Sequence, residues 1–269
     1  MNLRGHKLVA LASLIVVLLL WTPLAMVAVN AVNRNELLTG WSGATWRWFR
    51  VAFQDPEVRS GLRLTLVVGA LSTAIALPIA VTGALWWRGA SKSGRRLYEA
   101  LILLNVILPE VVFASALFLL FIRAGVPIGL PAIVIGHSVW NAAYAFLIVQ
   151  ARLSALDPAL EEAAADLGAP PWQVFRRVTV PALVPGLIAA GLIAFTFSFD
   201  DVVTTFFLAG SSGNTLPVVL FGLIRFRVSP EVNAIGVLVM IFTAGVATLG
   251  YLLLARVNRG KGALPVEVG

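Results

Sequence analysis

No cysteine occurs in the 269 residues, which excludes disulfides, thiolate chemistry and cysteine metal sites. Histidine occurs only twice, as His6 and His137, and so leaves little for a metal cluster. Charge is scarce as well: Asp, Glu, Lys and Arg make up 12% of the chain against 59% hydrophobic residues, and the mean hydropathy is +0.91. This composition excludes an ordinary soluble domain and points to an all-α integral membrane protein. Acid is the scarcer sign, 13 residues against 20 basic, for a net charge of +7. A basic excess suits nucleic acid when it gathers on one face, but here Lys and Arg fall between apolar runs. The expected partners are therefore membrane lipid headgroups and neighbouring subunits, and no nucleic acid.

Six apolar runs, residues 8–29, 64–87, 100–122, 130–149, 182–208 and 232–254, are the expected spans. Each is long enough to cross a roughly 30 Å hydrocarbon core at ~1.5 Å per residue. The first exceeds the usual ~7–15 residues of a signal-peptide core and reads as a retained anchor. Between the first two spans, Trp41, Trp46, Trp48, Phe49 and Phe53 suggest either an amphipathic helix on the outer face or a loop of stacked aromatics. Residues 216–224 are apolar but too short to cross, and fit a re-entrant or interfacial helix. Basic residues gather at Arg88, Lys92, Arg95 and Arg96 and at Arg152, Arg176 and Arg177, which assigns those loops and both termini to the cytoplasm. Arg123 stands alone in the third-to-fourth turn, and Arg225 and Arg227 follow the short apolar run. Gly89 and Gly94 have the glycine spacing of a phosphate-binding loop, but Arg95-Arg96 replace its Lys-Ser/Thr and no strand precedes it. The chain is not expected to bind ATP itself.

One polar passage, residues 157–181, looks built for a partner protein. Asp157-Pro158 is a helix start, since the carboxylate can cap free N–H groups and proline has no N–H to waste. A short helix is expected over 158–167, stopped by Gly168 and Pro170-Pro171, and a second over 172–178. The order Glu162-Ala163-Ala164, three residues, Gly168, nine residues, Val178-x-Val180-Pro181 resembles the EAA loop of type I ABC importer permeases, whose consensus ends Ile-x-Leu-Pro.

That resemblance implies the six-helix permease fold, with the loop as a cytoplasmic coupling helix docking on a separate ATPase subunit. Glu161, Glu162, Ala163, Ala164, Gly168 and Pro181 are then the coupling residues. It further implies a second permease subunit, two ATPase subunits that hold ATP and Mg, an external (periplasmic) solute-binding protein, and a bacterial inner membrane. The chain itself would be a transport subunit, not an enzyme, without cofactor or metal. Its parts would be a first helix with an outer segment (1–58), a transmembrane core (59–256) and a cytoplasmic tail (257–269).

Acidic residues inside the spans sharpen the expectation. Asp200-Asp201 interrupts the fifth span, and an aspartate at a helix centre costs about 2.5–3.5 kcal/mol on insertion scales. One carboxylate is expected to face the transport path and the other a helix break or a neighbouring subunit. Glu110 lies about eleven residues, roughly 16 Å, into the third span. The fourth carries His137, Trp140, Asn141 and Tyr144 near its middle, His137 and Asn141 read chiefly as interhelical hydrogen-bonding groups. The segment 198–208, with 228–233 and Glu110, resembles the spermidine/putrescine branch of the family. The resemblance implies a polyamine pathway through Asp200, Asp201, Glu110, Trp140, Asn141 and Tyr144, with carboxylates replacing the hydration of ammonium groups. Another small cargo, a proton-coupled secondary transporter and a membrane scaffold are the alternatives. Neither of the last two explains the extended EAA pattern.

Overall fold

The computed structural model describes residues 3–226 and 228–261, with side chains described for 9–226 and 228–256. Arg227 and residues 262–269, which entered the charge and tail expectations, lie outside the described residues. So do the side chains of Arg4, His6, Lys7, Arg259 and Lys261. The described residues form α1 (Leu3–Ala31), α2 (Arg47–Gln54), α3 (Pro56–Gly89), α4 (Lys92–Ile107), α5 (Glu110–Ala124), α6 (Leu130–Ser154), α7 (Ala159–Asp166) and α8 (Pro171–Val174). A π-helical turn (Phe175–Thr179) then leads into α9 (Val180–Asp200), followed by α10 (Val203–Leu208), α11 (Leu216–Phe226) and α12 (Pro230–Lys261). Five helices are long and apolar enough to cross a membrane, and a sixth span results if α4 and α5, bent by 105° at their junction, are taken together.

That bend corrects the expected continuous third span. Leu108 is extended at φ −61°, ψ 131°, and Pro109 follows it. Proline's ring disfavours the helical conformation in the residue before it, and proline donates no hydrogen bond. The helix therefore stops and restarts, and Glu110 becomes the first residue of α5 instead of a group on the side of an unbroken helix.

The fifth span differs from expectation at both ends. The expected separate helix over 172–178 is continuous with it, so that the apolar helix runs from Pro171 to Asp200. Pro181 cannot donate to the turn before it, and its ring crowds the carbonyl four residues back. The π turn Phe175–Thr179 widens the helix just ahead of it and accommodates this. At the other end the helix stops at Asp200, and the chain breaks through Asp201 before α10.

The polar loop 157–181 folds nearly as its residues dictate. Asp157 Oδ1 accepts the Ala159 N–H at 3.0 Å and starts α7. Beyond α7, the N–H groups of Gly168 and Ala169 close back on the Ala165 and Ala164 carbonyls at 2.8 and 3.2 Å, with Gly168 at φ +83°. A Cβ at Gly168 would meet nothing within 4 Å, so the glycine answers to backbone conformation alone.

The chain divides into two compact units. One comprises Met1–Arg59 with Val219–Thr243, the other Ser60–Val218 with Ala244–Gly269. In the first, buried Trp48 on α2 donates its indole N–H to the Asn33 carbonyl at 2.8 Å and packs with Ala31 and Ala234. The aromatic outer segment is thus a short helix behind a loop closed by an Asn33–Ala44 bridge, and Trp41 and Trp46 stand outside the helix. In the second unit, α3, α6 and α9 meet through small residues, Ala80, Ala84, Ala145 and Ala190, around Phe146, Val149, Leu153 and Leu183. Small residues let helix backbones approach closely where lipid offers no hydrophobic drive to associate.

Gly136 shows how tight that approach is: a Cβ there would meet Leu208 Cδ1 at 2.7 Å and Thr204 Cγ2 at 2.9 Å on α10. Gly136→Val is expected to destabilise the protein by about 1–3 kcal/mol through overpacking. A thermal melt in detergent checks this, and an unchanged midpoint would mean that α10 moves aside freely.

Candidate functional site

The break between α9 and α10 faces the break between α4 and α5 across an open cleft of about 360 Å³. Glu110, Trp140, Tyr144, Phe197, Asp200, Asp201, Val202 and Val203 line it. Five of the six residues assigned from sequence to the substrate pathway meet here. The exception is Asn141, which is 1% exposed within the packing of α6, away from the cleft lining, and whose Nδ2 has no hydrogen-bond partner. Helical spacing explains the split: one residue on from Trp140 turns about 100° to another face.

The adjacent aspartates also part company. Asp200, the last residue of α9, is exposed in the cleft. The side chain of Asp201 is only 6% exposed and is held from two sides. Its Oδ1 accepts the Thr205 N–H at 3.0 Å, which caps the start of α10, and lies 3.4 Å from His137 Nε2. Buried His137 binds the same break at two further points, with Nδ1 2.7 Å from Ser198 Oγ and Nε2 3.1 Å from Thr205 Oγ1. Ser198 Oγ in turn receives the Ser72 hydroxyl of α3 at 3.1 Å. A helix break in hydrocarbon needs substitutes for the lost backbone bonds, which the Asp201 carboxylate supplies at Thr205 N–H, while the His137 bonds fix the side chains around it. His137 therefore bridges helices here and lies behind the cleft lining. Ser198 and Thr205, its partners, carried no signal in sequence because hydroxyls in apolar helices are common and usually bond their own backbone.

Aromatic rings form one wall. Phe113 lies 5.1 Å from Trp140, Trp140 lies 6.0 Å from Tyr144, and Phe197 meets Tyr144 edge-on at 4.9 Å. Electron-rich faces beside three carboxylates, Glu110, Asp200 and Asp201, make a cleft suited chemically to an organic cation. No group of three or more His, Cys, Asp and Glu with metal-holding geometry occurs among the described residues.

At the coupling loop the two glutamates likewise separate. Glu162 and Ala163 are exposed, whereas Glu161 turns toward the membrane helices. Its Oε1 accepts from Thr179 Oγ1 at 2.6 Å and from Arg88 Nη1 at 3.0 Å. Burial pushes the Glu161 carboxyl up, but these two donors outweigh it and hold the group below the usual carboxylate range. Ala164 is half-buried, and Gly168 and Pro181 are exposed. Arg88 was read from sequence only as a topology signal and Thr179 was not singled out, since no spacing pairs either of them with Glu161, 73 and 18 positions away.

With this geometry established, comparison with known proteins places the chain in a class. Residues 65–262 match the family described as binding-protein-dependent transport system inner membrane component, and the chain belongs to that family. It is a permease subunit of an ABC importer, a multi-pass protein of the bacterial inner membrane. Among its relatives is the putrescine transport system permease protein PotI of Escherichia coli strain K12, 32% identical over 90% of this chain and 89% of the relative. The spermidine/putrescine transport system permease protein PotC of Haemophilus influenzae is 25% identical over 89% of this chain and 93% of its own. The fold also matches a bacterial ABC transporter that imports the acidic polysaccharide alginate, with TM-score 0.72 and 18% identity over 94% of this chain and 96% of that one.

Replacing His137 by leucine removes one partner each from the buried side chains of Asp201, Ser198 and Thr205. His137→Leu is expected to cost about 1–3 kcal/mol for each buried group left unsatisfied. Thermal unfolding of the purified protein measures it, and a midpoint equal to wild type would show that the His137 bonds do not hold the break.

Proposed function

We propose that this permease translocates a polyamine such as putrescine or spermidine. The observation that carries the reading is the convergence of Glu110, Asp200 and Asp201 with Trp140 and Tyr144 on one cleft. A polyamine gives up water as it enters, and ionised carboxylates with aromatic faces replace that hydration. The PotI and PotC relatives, named for putrescine and spermidine, support the same cargo.

The division of labour follows from exposure. Asp200 and Glu110 are the cargo-facing carboxylates, Asp201 is shared between cargo and the helix break, and Trp140 and Tyr144 form the cation–π wall. Asn141 serves packing between helices. Glu162, Ala163, Ala164 and Gly168 form the docking segment for an ATPase subunit, in the transmembrane core 59–256. ATP and Mg act on two such subunits, which close around nucleotide and rotate the membrane helices of this chain and a second permease subunit. An external binding protein delivers the cargo, a reading supported by the bacterial alginate ABC transporter seen in complex with an alginate pentasaccharide-bound periplasmic protein, and both termini lie in the cytoplasm. Cargo moves because the outward and inward states hold it with different affinity.

Uptake of labelled spermidine and putrescine, with ATP and the proton gradient depleted separately, tests the reading. Wild type is expected to take up polyamine with ATP alone, and Asp200→Asn to lose about tenfold or more, the equivalent of about 1.4 kcal/mol of binding. Absence of polyamine uptake from an assembled wild-type complex overturns the cargo. Uptake that follows the proton gradient instead of ATP overturns the ATP-driven mechanism. For the docking segment, Glu162→Arg is expected to insert normally but lose transport-linked ATP hydrolysis, and normal coupling in that variant removes the assignment.

A further inference from the structure

Two interhelical bonds end on a single oxygen of Glu161, and each leads to a different wall of the cleft. One comes from Arg88, in the last turn of α3. Arg88 is itself knotted to α4: its carbonyl accepts from Arg95 Nη2 at 2.5 Å, Arg95 Nε bonds the Ala90 carbonyl at 3.1 Å, and the Arg95 guanidinium sits 4.9 Å from the Trp87 ring centre. Trp87 donates onward to Glu99 on α4 at 3.0 Å. The other bond comes from Thr179, the last residue of the π turn, which feeds straight into α9.

From this node two helices run to the cleft. The 16 residues of α4 extend about 24 Å and end at Ile107, just before Pro109 and Glu110. The 21 residues of α9 extend about 30 Å and end at Asp200. Beneath α7 lies a cleft of about 370 Å³ lined by Arg88, Glu161, Ala165, Val174, Phe175 and Thr179 among others, so packing over this stretch is loose and the polar bonds cross it.

We propose that Glu161 is the branch point through which movement of α7 reaches both carboxylate-bearing walls of the cleft. It is a positioning residue internal to this chain, distinct from the outward face of Glu162 and Ala163. The proposal rests on the coupling role assigned above and divides it between neighbouring residues. The Arg88 partner is 44% exposed at its side chain, and ion pairs of that kind contribute little to stability, so loss of the pair is expected to leave the fold intact. Because the Glu161 carboxyl is held below the usual range, the link is intact at neutral pH and is lost as pH falls through that lowered value.

The absence of cysteine makes a direct test available. Spin labels on Val111→Cys of α5 and Ile193→Cys of α9 report the distance between the two walls in the full complex with its ATPase subunits. Wild type is expected to shift that distance when nucleotide is trapped in the ATPase. In Glu161→Gln the shift is expected to disappear at both labels while the ATPase subunits still co-purify. Thr179→Val is expected to abolish the α9 component alone, as reported by a second pair from Ile193→Cys to Val67→Cys on α3. The exchange Arg88→Glu with Glu161→Arg is expected to restore part of the α4 response. A full shift in both Glu161→Gln and Thr179→Val overturns the proposal, as does loss of the ATPase subunits in Glu161→Gln, which would make Glu161 a docking residue. Absence of any shift in wild type, by contrast, counts against the coupling reading itself.

Discussion

The structure depends on how a broken helix is kept satisfied inside an apolar surround. Where α9 ends and α10 begins, backbone groups lose their helical partners, and the membrane interior supplies no water to replace them. Asp201 Oδ1 takes up the Thr205 N–H, and His137 reaches from α6 to the side chains of Ser198 before the break, Thr205 after it and Asp201 within it. Ser72 ties α3 to the same point. The break can then persist, and its persistence frees Asp200 from the helix side to face a cleft. A second break, set by Pro109, brings Glu110 into the same cleft.

The two ends of the membrane domain use adjacent acids in the same way. In Asp200-Asp201, one carboxylate is exposed in the cleft and the other, also at its lining, is bonded into the helix break. In Glu161-Glu162, the first bonds Arg88 and Thr179, and the second faces out. Glu161 and Glu162 are successive helical residues and diverge by about 100°, whereas Asp200 closes a helix and Asp201 begins the extended break, so each pair of like charges serves two surroundings. The division also limits repulsion, since one member of each pair is matched by donors.

Rigidity and freedom are placed accordingly. Close helix contacts at Gly136 and Gly186, where a Cβ would collide with Thr204 or with Arg152, fix α6 against α9 and α10. The π turn and the loose cleft under α7 lie on the cytoplasmic side of that packed block in the proposed orientation. In the proposed mechanism, motion imposed on the loop would pass along stiff helices instead of being dissipated in a soft core.

How much of this was legible in the sequence follows from the range of the forces involved. Chain-local physics was readable: apolar runs long enough to span, a carboxylate cap at Asp157, a glycine stop at Gly168, and the cost that makes Asp200-Asp201 an unlikely accident. The family itself was readable because the coupling loop keeps its residues at fixed spacing. The angle at Pro109 was not drawn from the sequence, although proline marked the place, because an apolar run looks the same whether the helix crosses straight or bends by 105°. Still less readable were the pairings of His137 with Asp201 and of Glu161 with Arg88 and Thr179. These join residues 64, 73 and 18 positions apart through side chains that are each unremarkable alone. Local sequence determined the spans, the loop and the presence of buried acid; only tertiary packing decided which acid faces the cleft and which is tied into the fold, because that choice depends on donors brought in by other helices.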